Sequence, residues 1–381
     1  MNGGKKNPKI VISGYYGFDN CGDEAVLLSI IHCLKELRPD VRITVLSGNP
    51  EKTCELYGVE AANRWSPLSI AREILTSDLL ISGGGSLLQD VTSVKSPLYY
   101  LGVIKIARFF RKKVMIYSQG IGPLLSKKNR ASVKRTLKRC HVLTVRDDRS
   151  AEFLRELGVD RDIHVACDPV MALSREDVEA NAILEELGIR NAEFGIEGED
   201  NDRKDKRPLL VAAIRNWKDD SHIAPAAELL DSQVGKGWDI LVIPAHFPGD
   251  LDAVNKLRDR MTTNPYCIDR CLTAREFLAL TAVADRVFSM RLHGLICAMA
   301  VGTPMLGLSY DPKVDAFMEQ AGLSGYCLSS DDFDLSLAKS LMDRLDKLSP
   351  DFLREQETRR SEMKKLAWET AEQAVSLLPV P

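Results

Sequence analysis

Short apolar runs alternate with amphipathic segments along nearly the whole chain, and nothing else in the sequence limits the fold so strongly. The pattern predicts strands at residues 10–14, 42–46, 79–82, 114–118, 142–146 and 164–166. Helices are expected between them at 23–37, 68–75, 97–110, 130–140 and 150–157. The alternation resumes with strands at 209–214, 239–244, 283–289 and 305–308, and helices at 224–233, 251–261, 275–284 and 295–301. Two more helices, 335–348 and 350–378, end the chain. A strand–helix–strand repeat of this kind builds a doubly wound parallel sheet, because a parallel pair needs a crossover and a helix supplies it.

Length makes this two sheets. A chain of 381 residues holds about two domains of ordinary size. The pattern stops across residues 191–208, where charged residues replace aliphatic ones. We therefore expect an N-terminal Rossmann-like domain at 1–188, a charged linker at 189–208, and a C-terminal Rossmann-like domain at 209–348. A helix at 349–381 is expected to pack back on the first domain. The expected fold class is α/β and GT-B-like, with two doubly wound domains facing a cleft.

In open parallel sheets ligands bind at the carboxyl edge of the strands, so the turns after the strands are where chemistry is sought. Two of them stand out. Ser289-Met290-Arg291-Leu292-His293-Gly294 and Ser309-Tyr310-Asp311-Pro312-Lys313 flank one short helix. Arg291, His293 and Lys313 at one edge suit a small anion, with the imidazole able to move a proton near neutral pH. Taken singly, Arg291 reads equally well as an ion-pair partner and His293 as a helix N-terminal residue. Arg215 and His246 end two further strands, and Arg146 and Asp168 two in the first half. An arginine at the place of Arg146 can point into the cleft.

The turn from Gly14 to Ala25 is not GxGxxG, so dinucleotide binding is not supported. Its aromatic residues, Tyr16 and Phe18 among them, could stack on a sugar ring while Asn20 and Asp23 bond its hydroxyls. Gly84 and Gly85, in a glycine run after a strand, could form an anion nest. Gln119 lies in another strand-end turn.

Charge is unevenly spread. The net value is only −3, yet residues 91–146 contain fourteen Lys and Arg and no acid. Such a region marks an anionic partner surface. Nucleic acid is one such surface; an anionic membrane fits at least as well, since Phe109 and Phe110 sit among the cations. There is no run of eighteen apolar residues and no apolar leader, so a cytoplasmic protein is expected. Nine scattered cysteines lack metal-ligand spacing, and no metal is expected.

These turns together resemble the polysaccharide pyruvyl transferase family: 14–25, 81–86, 119–123, 145–150, Asp168-Pro169, and the pair at 289–294 and 309–313. The resemblance is nearest to the cell-wall type, which acts on a lipid-linked amino-sugar precursor of the secondary cell wall polysaccharide. It implies transfer of pyruvate from phosphoenolpyruvate to two hydroxyls of one sugar. His293 would be the general acid, with Arg291, Lys313 and Arg146 catalytic. Tyr16, Phe18, Asn20, Asp23, Gly84, Gly85, Gln119, Asp168, Arg215, His246, Gly294, Ser309 and Asp311 would bind substrate. It implies no cofactor beyond the co-substrate phosphoenolpyruvate. The partners would be a lipid-linked glycan and the anionic inner face of the cell membrane, not nucleic acid. Two rival readings are a nucleotide-sugar glycosyltransferase of the same fold and a non-catalytic sugar-phosphate or membrane-surface module.

Overall fold

The computed structural model describes residues 7–91, 93–179, 181–186, 189 and 207–380. Most of the expected charged linker, residues 190–206, lies outside the described residues. The chain divides into two compact units, Met1–Ala172 with Met363–Pro381, and Leu173–Glu362. Each is a parallel α/β sheet, as the alternation predicts.

In the first unit the strands are β1 (Lys9–Ser13), β2 (Arg42–Ser47), β3 (Glu60–Asn63), β4 (Leu79–Ser82), β5 (Gly85–Leu88), β6 (Lys113–Ile121), β7 (Val142–Val145) and β8 (His164–Val165). Their order is β3-β2-β1-β4-β6-β7-β8, with β5 paired to β6. The helices are α1 (Cys21–Leu37), α2 (Pro50–Tyr57), α3 (Pro67–Leu75), α4 (Ser96–Phe109), α5 (Lys127–Leu137) and α6 (Asp148–Glu156). Capping explains where several begin. The side chains of Asn20, Ser66 and Asp147 each accept a backbone N–H from the first turn of α1, α3 and α6, and Pro67 opens α3 with a preset φ.

The second unit contains α7 (Asn181–Glu186), then strands β9 (Leu209–Ala213), β10 (Asp239–Val242), β11 (Tyr266–Cys267), β12 (Arg286–Ser289), β13 (Met305–Ser309) and β14 (Cys327–Ser329). Its helices continue with α8 (Ile223–Val234), α9 (Leu251–Arg260), α10 (Ala274–Val283), α11 (Leu292–Val301), α12 (Pro312–Gln320), α13 (Leu335–Leu345) and α14 (Pro350–Ser376). The strand order is β11-β10-β9-β12-β13-β14. In both units the chain starts in the middle of the sheet, builds outward, and crosses back. The crossing puts a switch point between β1 and β4 and another between β9 and β12.

Two boundaries differ from expectation. The division falls after Ala172 rather than near 188. The segment after it is tied to the second unit, where Arg175 Nε donates to Val301 O at 2.7 Å and Glu186 pairs with Arg270 at 2.8 Å. The last helix divides too: α14 begins in the second unit, and only from Met363 onward does it belong to the first. There Lys113 Nζ donates to Leu377 O at 2.6 Å and Trp368 packs on His32.

The glycine run at 83–85 is less of a loop than expected. Gly85 begins β5, at φ +76°, a left-handed conformation that favours glycine. Among the described residues no helix is long and apolar enough to cross a membrane.

Candidate functional site

In the second unit, β9, β12 and β13 are neighbours, so the turns that follow them meet at one sheet edge. Beyond β12, Ser289 Oγ accepts from Arg291 N at 3.0 Å and donates to Arg291 O at 2.8 Å. A Cβ on Gly294 would collide with that hydroxyl. Gly294 is thus needed for the closed turn, and its selection is explained by Ser289 without a ligand. Arg291 precedes α11 and His293 lies in the first turn of that helix, half-buried.

Arg291 turns back onto Asp250. Its Nε donates to Asp250 Oδ2 at 2.9 Å and its Nη2 to Oδ1, a two-pronged charged contact. Asp250 is 1% exposed and Arg291 16%. The same Oδ2 accepts the backbone N–H groups of Ala245 (3.1 Å) and His246 (2.9 Å), which follow β10. One buried carboxylate therefore joins the Arg291 turn to the His246 turn. Sequence reasoning passed over Asp250, because it lies before α9 and far from Arg291 in sequence. The ion pair engages Nε and Nη2 of the Arg291 fork.

The other two cations converge on Tyr310. Arg215 Nη1 donates to the Tyr310 hydroxyl at 3.1 Å, with the guanidinium carbon 4.8 Å from the ring centroid. Lys313 Nζ lies 5.6 Å from the same centroid and 3.5 Å from Asp311 Oδ2. Trp217 meets Tyr310 edge-on at 4.9 Å. Asp311 caps α12 by accepting from Lys313 N at 3.0 Å, and Ser309 Oγ donates to Asp311 O at 3.4 Å, so both shape the turn. Behind Arg215, His222 donates Nε2–H to the Arg215 carbonyl at 3.0 Å. Burial pushes the His222 imidazole below its ordinary range, against that hydrogen bond and the nearby Asp220 and Asp219. Tyr310, Trp217 and Asp250 are the residues here that sequence reasoning missed.

The expected residues of the first unit fall into two groups. Arg146 is 6% exposed, so little of its side chain is open, although an arginine at that place could face a cleft. Its Nη2 donates to Ser86 Oγ at 3.1 Å; its Nη1 is 3.7 Å from Asp168 Oδ2 and its Nε 3.4 Å from Asp147 Oδ2. A Cβ on Gly120 would lie 2.8 Å from Arg146 Nε, so the guanidinium lies flat on that backbone. Two carboxylates beside it are the physical reason it stays inside: a buried charge needs an opposite partner. Gln119 is likewise committed, donating to Ser82 O at 3.0 Å and Ser82 Oγ at 2.8 Å. Gly84 is close-packed under Val26 and Pro169, while a Cβ on Gly85 would lie 2.8 Å from Asp23 Oδ1.

Tyr16 is a correction. It is 1% exposed and fills the space over Gly14 and Gly83, whose missing side chains make room for its ring. It cannot offer a face to a sugar. Phe18 instead stacks on Tyr15 at 4.3 Å. Asn20 Oδ1 is engaged by Gly22 N at 3.1 Å as the α1 cap. Among the described residues no group of three or more His, Cys, Asp or Glu is arranged to hold a metal ion.

The basic region is surface. Lys127, Lys128, Arg130, Lys134, Arg135 and Lys138 of α5 and the residue after it are exposed, as are Arg108 and Arg111. Of the aromatic pair, Phe110 packs against the core and Phe109 is exposed.

The sequence model of the family described as polysaccharide pyruvyl transferase matches residues 20–312. No curated protein matches the chain. Solved structures match over nearly their full length. UDP-GlcNAc 2-epimerase from Neisseria meningitidis, bound to UDP-GlcNAc, gives a TM-score of 0.60 at 12% identity, covering 97% of this chain and 99% of that one. A glycosyltransferase from Rickettsia africae gives 0.60 at 12% identity, covering 97% and 98%. Anabaena Alr3699/HepE in complex with UDP-glucose gives 0.54 at 15% identity, covering 97% and 96%. At such identities these structures show a shared fold.

Proposed function

The chain belongs to the polysaccharide pyruvyl transferase family, and from that premise we propose that it transfers pyruvate from phosphoenolpyruvate to two hydroxyls of one sugar, forming a ketal and releasing phosphate. The observation that carries the reading is the gathering of Arg215, Arg291, His293 and Lys313 at the switch-point edge of the second sheet. Phosphoenolpyruvate carries a carboxylate and a phosphate, so it needs several cations at one place. The Nη1 side of Arg291 and the point charge of Lys313 supply them, with Arg215 held ready on Tyr310.

The step begins with a proton. His293, as imidazolium, gives it to the terminal methylene of the donor, which becomes a methyl group while C2 becomes electrophilic. One sugar hydroxyl adds to C2 and loses its proton. The C2–O bond to phosphate breaks, and phosphate leaves with its electron pair. The second hydroxyl then closes the ring and loses its proton. The developing charge at C2 is offset by the donor's own carboxylate, which Arg291 orients. Arg146 acts at one remove, by positioning Ser86 and Asp168.

The acceptor in this reading is an N-acetylmannosamine-type residue of a lipid-linked cell-wall polysaccharide precursor. The enzyme would then work at the anionic inner face of the cell membrane, and the acid-free segment 91–146 with exposed Phe109 supports this. The test is phosphate release from phosphoenolpyruvate across a panel of glycan and glycolipid acceptors. Acceptor-dependent release is expected. Release of nucleotide from a UDP-sugar under the same conditions, with none of phosphate, would favour the glycosyl transfer that the ligands of the neighbouring structures represent.

A further inference from the structure

Arg64, just after β3, is 4% exposed, and among the described residues no carboxylate lies within ion-pair distance of it. A buried charge of this kind ordinarily has an anion beside it. Arg64 has rings. Its guanidinium carbon lies 4.5 Å from the centroid of Tyr99, 5.0 Å from Phe18, 5.2 Å from Trp65, 5.6 Å from Tyr100 and 6.0 Å from Tyr15. Nη1 donates to Gly14 O at 2.7 Å, which ties the end of β3 to the end of β1, Nη2 donates to the Tyr100 hydroxyl at 3.3 Å, and Nε has no hydrogen-bond partner among the described residues.

The rings form a connected row. Tyr15 stacks on Phe18 at 4.3 Å and 15°. Phe18 meets Trp65 edge-on at 6.3 Å, and Trp65 meets Tyr99 at 6.0 Å. Gly48, beyond β2, is bare because a Cβ there would lie 2.8 Å from the Phe18 ring. The outer members face water: Trp65 is 63% exposed and Tyr15 is exposed too. The backbone N–H of Trp65 donates to Asn63 Oδ1 at 2.8 Å, which closes the turn that carries the ring. A ring packed on its neighbours at one side has given up part of its freedom before any ligand arrives, so a ligand that covers it loses less entropy on binding.

We infer that the exposed indole of Trp65, walled by Phe18 and Tyr15, is the stacking shelf for the pyranose ring of an uncharged acceptor sugar, and that Arg64 clamps it from beneath. A pyranose has one face lined with C–H groups, which suits an exposed aromatic plane. The position suits it too, for the shelf lies at the carboxyl edge of β1, β2 and β3, on the sheet that carries Asp23 and Asp168. That the sugar is the acceptor rests on the pyruvyl-transfer reading; that a sugar binds here does not.

The experiment uses the full chain and methyl N-acetylmannosaminide as probe, followed by titration calorimetry, which still reports on variants lacking Trp65, with UMP in a parallel titration. Saturable change with the glycoside is expected in the wild type. Trp65→Ala should weaken it by roughly tenfold, while Trp65→Phe retains most of the affinity. Calorimetric binding of phosphoenolpyruvate should be the same in all three proteins. No saturable response in the wild type, or equal glycoside affinity in Trp65→Ala, overturns the shelf. A Trp65-dependent response to UMP but not to the glycoside overturns the sugar as occupant. Trp65-dependent glycoside binding without any phosphate release from phosphoenolpyruvate would uphold the shelf and sink the pyruvyl-transfer reading instead.

Discussion

Arg291→Ala removes the cation assigned to the donor, but the structure makes that change ambiguous by itself. It also strands Asp250, a carboxylate 1% exposed. Removing one partner of a buried pair costs about 3–5 kcal/mol. Asp250 keeps two backbone N–H donors at 3.1 and 2.9 Å, and Arg291 is partly exposed, so the lower end applies, about 3 kcal/mol. For a unit of this size that lowers its melting temperature by roughly 6–12 °C. Asp250→Asn in the same background removes the stranded charge and keeps the shape, and should return about half of the loss. Donor binding should behave differently. It should fall about tenfold or more in Arg291→Ala and stay low in the double variant, since the lost contact is to the ligand. Urea unfolding followed by circular dichroism gives the first quantity, and calorimetry with phosphoenolpyruvate the second. Recovery of both in the double variant would make Arg291 a purely structural residue. A single variant less than about 1 kcal/mol down would refute the argument from the buried pair.

Other consequences are tested separately. His293→Gln should bind phosphoenolpyruvate nearly normally yet turn over about 10²–10⁴-fold more slowly, and wild type in heavy water should place deuterium in the ketal methyl group. Near-native turnover in His293→Gln would move the acid elsewhere, with His246 tested next. Gly294→Ala must push against Ser289 Oγ and should destabilise the second unit by about 1–3 kcal/mol in thermal melts; an unchanged melt would mean that the turn relaxes freely. Burial holds the His222 imidazole below the ordinary value of about 6.5, so as pH falls the unfolded chain takes up the proton first. Its contribution is therefore complete above that value and declines below it, and His222→Gln should flatten this part of the stability–pH curve; an identical slope in the variant would discount the residue. Phe109→Ser with Arg108→Gln and Arg111→Gln should release the protein from anionic vesicles at low salt, where each cation near the surface is worth about 1 kcal/mol. Equal wild-type binding to neutral vesicles, or tight binding to duplex DNA, would count against membrane docking.

Much of this molecule is legible without coordinates. The alternation of apolar runs and amphipathic segments requires parallel sheets, and parallel strands require their turns to share an edge. That is why Arg215, Arg291, His293 and Lys313 could be grouped from sequence, and why the sheets were found where the runs are strongly apolar. The weaker elements were not visible. β3 reads Glu-Ala-Ala-Asn and β11 is two residues long, so each exists only because a neighbouring strand offers it hydrogen bonds.

What sequence could not decide is which way each side chain turns. Arg146 and Arg291 look alike as arginines closing a strand. One is drawn inside by Asp168 and Asp147, and the other is held at the edge by Asp250. Tyr16 and Tyr15 are adjacent, yet one fills the space over Gly14 and Gly83 while the other lies in the outer aromatic row. Trp65 and Arg64 carried no signal, since their partners come from the turn after β1 and from α4, far away in the chain. Periodicity reports the average environment of a segment, and that average fixes strands, helices and edges. The choice between a buried cation and one at the sheet edge depends on carboxylates brought near by the fold, and only the tertiary structure supplies those neighbours.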